Sequence, residues 1–444
     1  MKTLFIFCKI MQKKALRQFY VFCIDKVRAG TNFILIEWMV VNMNYTPDEI
    51  MQYISEEDVK FIRLAFCDVF GRQKNISIMP TELARAFEMG IAIDSSAIPG
   101  FSDEADSDLL LIPDPSKIAV YPWRPDHGRV VRMFTTITRP DGSVYPGDTR
   151  ALLKKTVEEA ESKGYSFSFG PELEFYLFKL DENGEPTKIP YDRAGYMDIA
   201  PEDKGENVRR EICLTLEQMG IRPECSHHEE GPGQNEIDFR YADPLTAADN
   251  TITFKTVVRT VAARSGLYAD FSAKPIEDAP GNGMHMNISA KNAGGEDIMP
   301  SVIAGILERI KEMTVFLNPT ANSYKRFGTD KAPKYISWSR RNRSQLIRIP
   351  AASGEYRRAE LRSPDPMCNP YLAMALIINA GIEGVERGLK LGEPSMINMF
   401  SASEALKTDY DILPKSLKSA ADEALGSELI KRCLPEEIIR GYCG

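Results

Sequence analysis

None of the eight cysteines (Cys8, Cys23, Cys67, Cys213, Cys225, Cys368, Cys433, Cys443) falls in a Cys-x-x-Cys pair. Scattered thiols without framework spacing argue against a zinc finger or a disulfide scaffold, and read as reduced cysteines of a cytoplasmic protein. Positive charge is in deficit: the net charge is -8, which argues against a nucleic-acid partner held by bulk electrostatics. The sequence lacks a Gly-x-x-x-x-Gly-Lys-Ser/Thr loop and the protein-kinase signature set, so a bound nucleotide must be held in another way. Internal repeats and low-complexity segments are also missing. Histidine is scarce, with four in the chain, so where they sit carries information.

What is present is an ordinary soluble composition, 43% hydrophobic and 27% charged, in 444 residues, long enough for two domains with sizeable cores. Residues 1–42 stand apart. Apolar clusters such as Thr3-Leu4-Phe5-Ile6-Phe7 alternate with Lys and Arg, and the uncharged stretches fall short of the ~20 residues a membrane span needs. The order of a signal peptide is missing too, so we read 1–42 as an atypical extension upstream of a natural start at Met43.

From Met43 the pattern settles. The sequence predicts a helix over Pro47–Glu56 and a period-two strand over Val59–Cys67. A turn at Asp68–Gly71, a strand over Lys74–Ile78 and a helix over Thr81–Met89 follow. Strands at Leu109–Ile112 and Val130–Thr138 come next, with turns at Pro113-Asp114-Pro115 and Pro140-Asp141-Gly142. Residues 43–140 thus read as a small α+β domain. Residues 146–444 read as a larger one, opened by a helix over Asp148–Lys163. In it, strands at 166–178, 234–240 and 284–289 are interspersed with helices at 205–219, 246–265, 300–316 and 370–388.

Four constellations carry chemistry. In Gly170-Pro171-Glu172-Leu173-Glu174-Phe175, strand alternation puts Glu172 and Glu174 on one face, where two like charges repel unless a cation lies between them. A solvated strand face would read the same. The segment His227-His228-Glu229-Glu230-Gly231-Pro232-Gly233-Gln234-Asn235-Glu236-Ile237-Asp238 groups carboxylates and imidazoles around a turn, a donor set suited to Mg²⁺ or Mn²⁺. A polar hairpin end is the plainer reading. Gly281-Asn282-Gly283-Met284-His285-Met286-Asn287-Ile288-Ser289 leads a glycine-rich turn into a strand with His285, Asn287 and Ser289 on one face. A satisfied structural histidine is the alternative there. The fourth is basic and runs from Lys325 to Arg362, ending on Arg358, Glu360 and Arg362, a carboxylate flanked by two guanidiniums. A surface ladder of ion pairs would look alike. Arginine grips carboxylate and phosphate bidentately. Together the groups fit phosphoryl transfer from ATP.

Six motifs stand in a fixed order. They are the Glu-x-Glu strand, His-His-Glu…Gly-Gln-Asn-Glu, Lys-Pro-Ile…Gly-Met-His, Asn-Pro-Thr…Asn-Ser-Tyr-Lys-Arg, Asn-Arg-Ser…Ile-Arg-Ile-Pro and Glu-Leu-Arg-Ser-Pro-Asp-Pro. In this order the chain resembles bacterial type I glutamine synthetase over roughly residues 43 to 430. The resemblance implies a β-grasp domain and a catalytic domain whose curved antiparallel sheet forms a funnel. The implied activity is ATP-dependent ligation of ammonia to glutamate through γ-glutamyl phosphate. By motif, Glu174, Glu229 and Glu236 would hold a first metal, and Glu172, His285 and Glu360 a second. Arg326 and Arg362 would grip glutamate beside the backbone of Gly281. Arg343 and Arg348 would stabilise the moving phosphoryl group, with Arg358 and Ser289 near the nucleotide. Asp94, donated by a neighbouring subunit, and Tyr196 would form the ammonium pocket. The implied assembly is a homo-oligomer, a hexameric ring or a dodecamer of two, with neither nucleic acid nor membrane as a partner.

The sequence departs from the pattern in places. The family's flap carries a glutamate before Ala-Pro, whereas here the loop Phe327–Pro333 is one residue shorter and places Lys331 there. A cation beside an ammonium site is unfavourable, and Asp330 would take the glutamate's place if the loop shifts. Ala97 stands for a serine and Pro280 for an asparagine. Phe400 aligns with the tyrosine adenylylated in one subclass, and Asp103 with a feedback arginine of another. The end at Gly444 lacks the family's full tail, which normally ties two hexameric rings together; a single ring would preserve the shared sites. Two other readings stay open at this stage, a γ-glutamyl-amine ligase and a catalytically silent family member.

Overall fold

The computed structural model describes residues 45–124, 127–352 and 354–444, so the expected extension at 1–42 lies outside it. The chain forms two compact units. The described part of the first comprises 45–66, 74–93 and 108–143, and the second comprises 67–73, 94–107 and 144–444. Two stretches inside the expected 43–140 domain, 67–73 and 94–107, group with the second unit. The turn after the first strand belongs to the second unit because Val69 O accepts from Asn369 Nδ2 at 2.9 Å and from the Tyr442 hydroxyl at 3.0 Å.

In the first unit, helix α1 (Pro47–Glu56) starts at a capping box: Thr46 accepts from Glu49 N, and the Glu49 carboxylate accepts from Thr46 N. The strands are β1 (Val59–Cys67), β2 (Gln73–Ile78), β3 (Ile91–Asp94), β4 (Asp108–Val120) and β5 (Arg129–Thr138), in sheet order β2-β1-β5-β4-β3. β1 runs parallel to β5, and β4 antiparallel to it. This is the mixed sheet the β-grasp expectation called for. The predicted helix over 81–89 opens as a 3₁₀ turn at Pro80–Glu82 before α2 (Leu83–Met89). The expected turn at Pro113-Asp114-Pro115 is instead a bulge inside β4. Proline has no N–H for the ladder, so the register with β5 breaks between Pro113 and Ile118, and Asp114 Oδ1 accepts from Ser116 N and Oγ.

The second unit is built on a curled nine-stranded sheet. Its strands are β6 (Tyr165–Leu180), β7 (Pro186–Pro190), β8 (Pro223–His228), β9 (Gln234–Phe239), β10 (Leu267–Asp270), β11 (Met284–Asn292), β12 (Trp338–Arg340), β13 (Ile347–Ile349) and β14 (Ala359–Leu361). The main path is β12-β13-β14-β11-β6-β9-β8, with β7 and β10 also paired to β6. Among the described residues these pairings are antiparallel, as expected, except that the short β12 and β13 run parallel.

Alternation along β6 decides what each face does. Leu173, Phe175 and Leu177 are fully buried, and helices α3 (Thr149–Ser162), α5 (Pro244–Arg264) and α7 (Pro370–Glu386) pack on the sheet there. Phe175 meets Phe254 of α5 edge-on at 6.2 Å and Phe271 at 5.6 Å. Burying each such side chain contributes roughly 1.5–3 kcal/mol, which makes the helix-covered face of β6 a rigid base for the residues on its other face. Helices α4 (Glu206–Gln218) and α6 (Met299–Leu317) complete the predicted set, and Asp148 caps α3 by accepting from Ala151 N.

Candidate active site

The opposite face of the sheet carries two rungs of side chains set by register. In one rung His285 of β11 lies beside Glu172 of β6, Glu172 beside Asp238 of β9, and Asp238 beside Cys225 of β8. In the next, Glu174 of β6 lies beside Glu236 of β9, and Glu236 beside His227 of β8. Two residues separate the rungs on each strand, which spaces them about 6.5–7 Å apart on one face. All but Cys225 line a cleft of about 330 Å³ together with Arg326, Arg343, Arg348, Arg358 and Arg362. A second cavity of about 200 Å³ shares Glu172, Asp238 and Arg358 with the first and adds Ser289 and Tyr356.

The structure brings Glu172, His285 and Glu360 together, with donor atoms within 4.8 Å of one another. His285 Nδ1 faces Glu172 Oε2 at 3.6 Å and Glu360 Oε1 at 3.5 Å, too far for a hydrogen bond and the spacing of donors around a shared ion. Of the other expected trio, Glu174 and Glu236 are cross-strand neighbours. Glu229 and Glu236 group with His227, which sequence reasoning had left among the unassigned donors. Glu174 is turned so that Oε2 accepts from Gly283 N at 2.7 Å and from Gln234 Nε2 at 3.2 Å. His228, the neighbour of His227, points to the opposite face and bonds buried Asp192 through Nε2 at 2.8 Å, as strand alternation requires.

Electrostatics identify what the donors need. Burial, then Glu229, pushes Glu174 up to about 8; burial, then Glu172, pushes Asp238 up to about 7. Burial and the carboxylates around it raise Glu236 well above its ordinary value, and burial raises Glu229. His285 is held well below the usual imidazole value, by burial first and then by Arg362, so it offers a neutral nitrogen. Crowded carboxylates and a neutral imidazole fit a hard divalent cation such as Mg²⁺ or Mn²⁺.

Glu360 differs from the other acids. Burial by itself would raise it, but Arg362, with Arg348, outweighs burial and holds it below its ordinary value. Arg348 Nη1 donates to Oε2 at 2.5 Å, and Arg362 donates to Oε1. The expected pair of flanking guanidiniums, Arg358 and Arg362, is thus corrected to Arg348 and Arg362. The three-residue β14 begins at Ala359, so Arg358 lies just outside it and donates through Nε to Asn287 Oδ1 at 2.8 Å. Asn287 in turn donates to Glu172 Oε1 at 2.7 Å, a positioning link that sequence reasoning missed.

Arg326 is buried and donates to the carbonyls of Ser363 and Arg362 at 2.8 and 3.1 Å. Its side chain passes under Gly281. A Cβ at Gly281 would lie 2.5 Å from Ala273 O and 3.0 Å from Arg326 Cγ, so only glycine lets this backbone approach. Lys331, in the flap, pairs with Glu230 and lies 5.9 Å from the ring of Tyr196, which packs edge-on against His227 at 5.4 Å. Asp330 pairs with Lys274 at 2.8 Å. Both flap residues take left-handed backbone, φ 43 at Asp330 and 64 at Lys331, which costs each about 1–2 kcal/mol. Asp94 is exposed, bonded to Ser96 N and Oγ, and is not among the residues lining this cleft. Among the described residues, no helix is long and apolar enough to cross a membrane.

Comparisons with known proteins agree with this geometry. The glutamine synthetase catalytic-domain model matches residues 146–444, and the glutamine synthetase β-grasp model matches 58–140. A glutamine synthetase of Methanosarcina mazei is 45% identical over 412 residues, covering 89% of this chain and 92% of its own. One from Clostridium saccharobutylicum is 43% identical, over 90% of this chain and 93% of its own. A solved structure titled "GmaS/ADP complex-Conformation 1" superposes with a TM-score of 0.81 at 28% identity, covering 90% of this chain and 94% of that one.

Proposed function

The chain belongs to the glutamine synthetase family of ATP-dependent glutamate–ammonia ligases, and from that premise we infer how its own residues divide the work. The observation that carries the reading is the pair of donor rungs sharing one cleft with five arginines. In this reading Glu172, His285 and Glu360 hold one divalent ion, Mg²⁺ or Mn²⁺. Glu174, Glu229 and Glu236 hold another, Glu174 with the oxygen not bonded to Gly283 N. Bound there, a divalent ion would offset the repulsion among the carboxylates and supply positive charge for phosphoryl transfer.

Arg326 and Arg362 receive glutamate beside Gly281. Arg343 and Arg348 face the phosphoryl group as it moves, and Ser289 and Arg358 bind at the nucleotide end. The γ-carboxylate of glutamate attacks the terminal phosphorus of ATP and ADP leaves. Ammonium gives up a proton, ammonia attacks the acyl carbon, and phosphate departs. Tyr196 contributes to the ammonium pocket. Asp94, exposed and outside its own cleft, completes the pocket of a neighbouring subunit, so the working form is a homo-oligomer, a hexameric ring or a pair of rings. Relatives of bacterial and archaeal origin at 41–45% identity support the type I form. The free thiols of Cys67, Cys213, Cys225, Cys368, Cys433 and Cys443 accord with a cytoplasmic setting.

The cation that sequence reasoning placed beside the ammonium site does not stand alone, because Glu230 neutralises Lys331. That pairing favours ammonia over the γ-glutamyl-amine alternative. Equilibrium Mn²⁺ binding tests the metal assignment. Two ions per chain are expected, with Glu172→Gln losing one and Glu229→Gln losing the other. Unchanged stoichiometry in both variants would overturn it.

A further inference from the structure

The hairpin of β8 and β9 carries a donor set that the proposed ligase chemistry leaves unused. Cys225 and His227 are two residues apart on β8, so both leave the same face, and Cys225 lies across the register from Asp238. The thiol donates to Asp238 Oδ2 at 2.7 Å. Cys225 Sγ, a ring nitrogen of His227 and a carboxylate oxygen of Asp238 all lie within 4.8 Å of one another. The Asp238 carboxyl also shares a hydrogen bond with the Glu236 carboxyl beside it. Access is open, since Cys225 is exposed and lines the smaller cavity beside Glu172, Asp238 and Arg358.

The geometry points to a third metal site, in which Cys225, His227 and Asp238 bind a borderline or soft transition-metal ion, Zn²⁺ foremost. One thiolate, one imidazole and one carboxylate with a position left for water is a donor set zinc accepts, whereas Mg²⁺ has little affinity for sulfur. Binding replaces the Sγ–H bond of Cys225 with an Sγ–metal bond, the proton passes to solvent, and nothing is oxidised or reduced. The site shares its wall with the rungs described above: Asp238 is the cross-strand neighbour of Glu172, and His227 that of Glu236. An ion held there draws Asp238 and His227 toward β8 and sets an extra positive charge beside those two carboxylates. The consequence is inhibition of the ligase by Zn²⁺ that depends on Cys225. Only this consequence rests on the ligase reading; the binding does not.

The test uses full-length protein and Cd²⁺ as a spectroscopic stand-in for Zn²⁺, read by the ultraviolet thiolate-to-cadmium charge-transfer band, in wild type, Cys225→Ser and Cys213→Ser. Wild type and Cys213→Ser should share a band saturating at one ion per chain in excess Mg²⁺, and Cys225→Ser should lack it. Affinity for Zn²⁺ by competition should fall at least about tenfold in Cys225→Ser, since even loss of a group that only supports a ligand costs that much. Cys225→Ser should keep Mg²⁺-supported phosphate release while losing its sensitivity to Zn²⁺, which shows that the variant is folded. A band of equal size in Cys225→Ser, or none in wild type, overturns the site. An intact band without Cys225-dependent inhibition overturns the regulatory consequence alone.

Discussion

Replacing Glu360 with glutamine removes one charge from the middle of the site while keeping its shape. In the native chain the Glu360 carboxylate is about 1% exposed and accepts from Arg348 on one oxygen and Arg362 on the other, with His285 Nδ1 at 3.5 Å. Arg362 is as deeply buried as its partner, so its guanidinium loses its nearest counter-charge where it is largely shielded from solvent. Arg348 is more open and recovers part of its loss from solvent. Breaking such a buried pair costs about 3–5 kcal/mol, most of it at Arg362. The same change deletes one of three donors proposed for an ion, which should weaken that ion's binding by roughly 100-fold or more. Urea denaturation in chelator reads the first effect, and Mn²⁺ binding with phosphate release from ATP and glutamate reads the second. We expect a folded but less stable protein that binds one Mn²⁺ fewer and releases phosphate at a small fraction of the native rate at any Mg²⁺ concentration. A variant that loses stability but recovers native turnover in excess Mg²⁺ would show that Glu360 only holds the arginines, and would refute its role as a ligand.

Three further outcomes follow from the same geometry. Glu174 and Asp238 have folded-state values of about 8 and about 7, above those of the unfolded chain. Each therefore binds its proton more tightly when folded, and its contribution to stability is full at low pH and lost as pH rises through the folded value. Metal-free protein should lose on the order of several kcal/mol between about pH 4 and pH 8. Mg²⁺ should flatten that slope, and a stability that rises over this range in chelator would contradict the crowding of carboxylates. Glu230→Ala unpairs Lys331 and should raise the KM for ammonium about two- to fivefold with little change in kcat, the scale of a partly exposed pair; an unchanged KM removes Lys331 from the ammonium site. Gly281→Ala forces its Cβ against Ala273 O and the Arg326 side chain, and should cost about 1–3 kcal/mol and raise the KM for glutamate; native kinetics would separate that backbone from the substrate.

Much of the site was legible because strand alternation is a strict code. Once Glu172 and Glu174 sit on one strand and Glu236 on another, register alone brings them onto the same face, and the buried partners Leu173 and Phe175 fix which face that is. The helices were legible for the same reason, through the 3.6-residue spacing and caps such as Asp148. What the sequence concealed depends on contacts across distance. Arg348, not Arg358, pairs with Glu360 because β13 lies beside β14, and three-residue strands leave no periodic signal. The bulge in β4 looked like a turn because two prolines mark both. Cys225 could have been found two residues before His227, but its partnership with Asp238 needs the hairpin register. Assignment of the turn at 68–71 to the second unit rests on Asn369 and Tyr442, some 300 residues away, which no local pattern reports.

The most direct measurement of the central claim is phosphate release from ATP with Mg²⁺ and glutamate, comparing ammonium with a panel of primary amines and identifying the product. The account predicts release that requires ammonium and yields glutamine. Release with an amine but not with ammonium would contradict it and make the protein a γ-glutamyl-amine ligase.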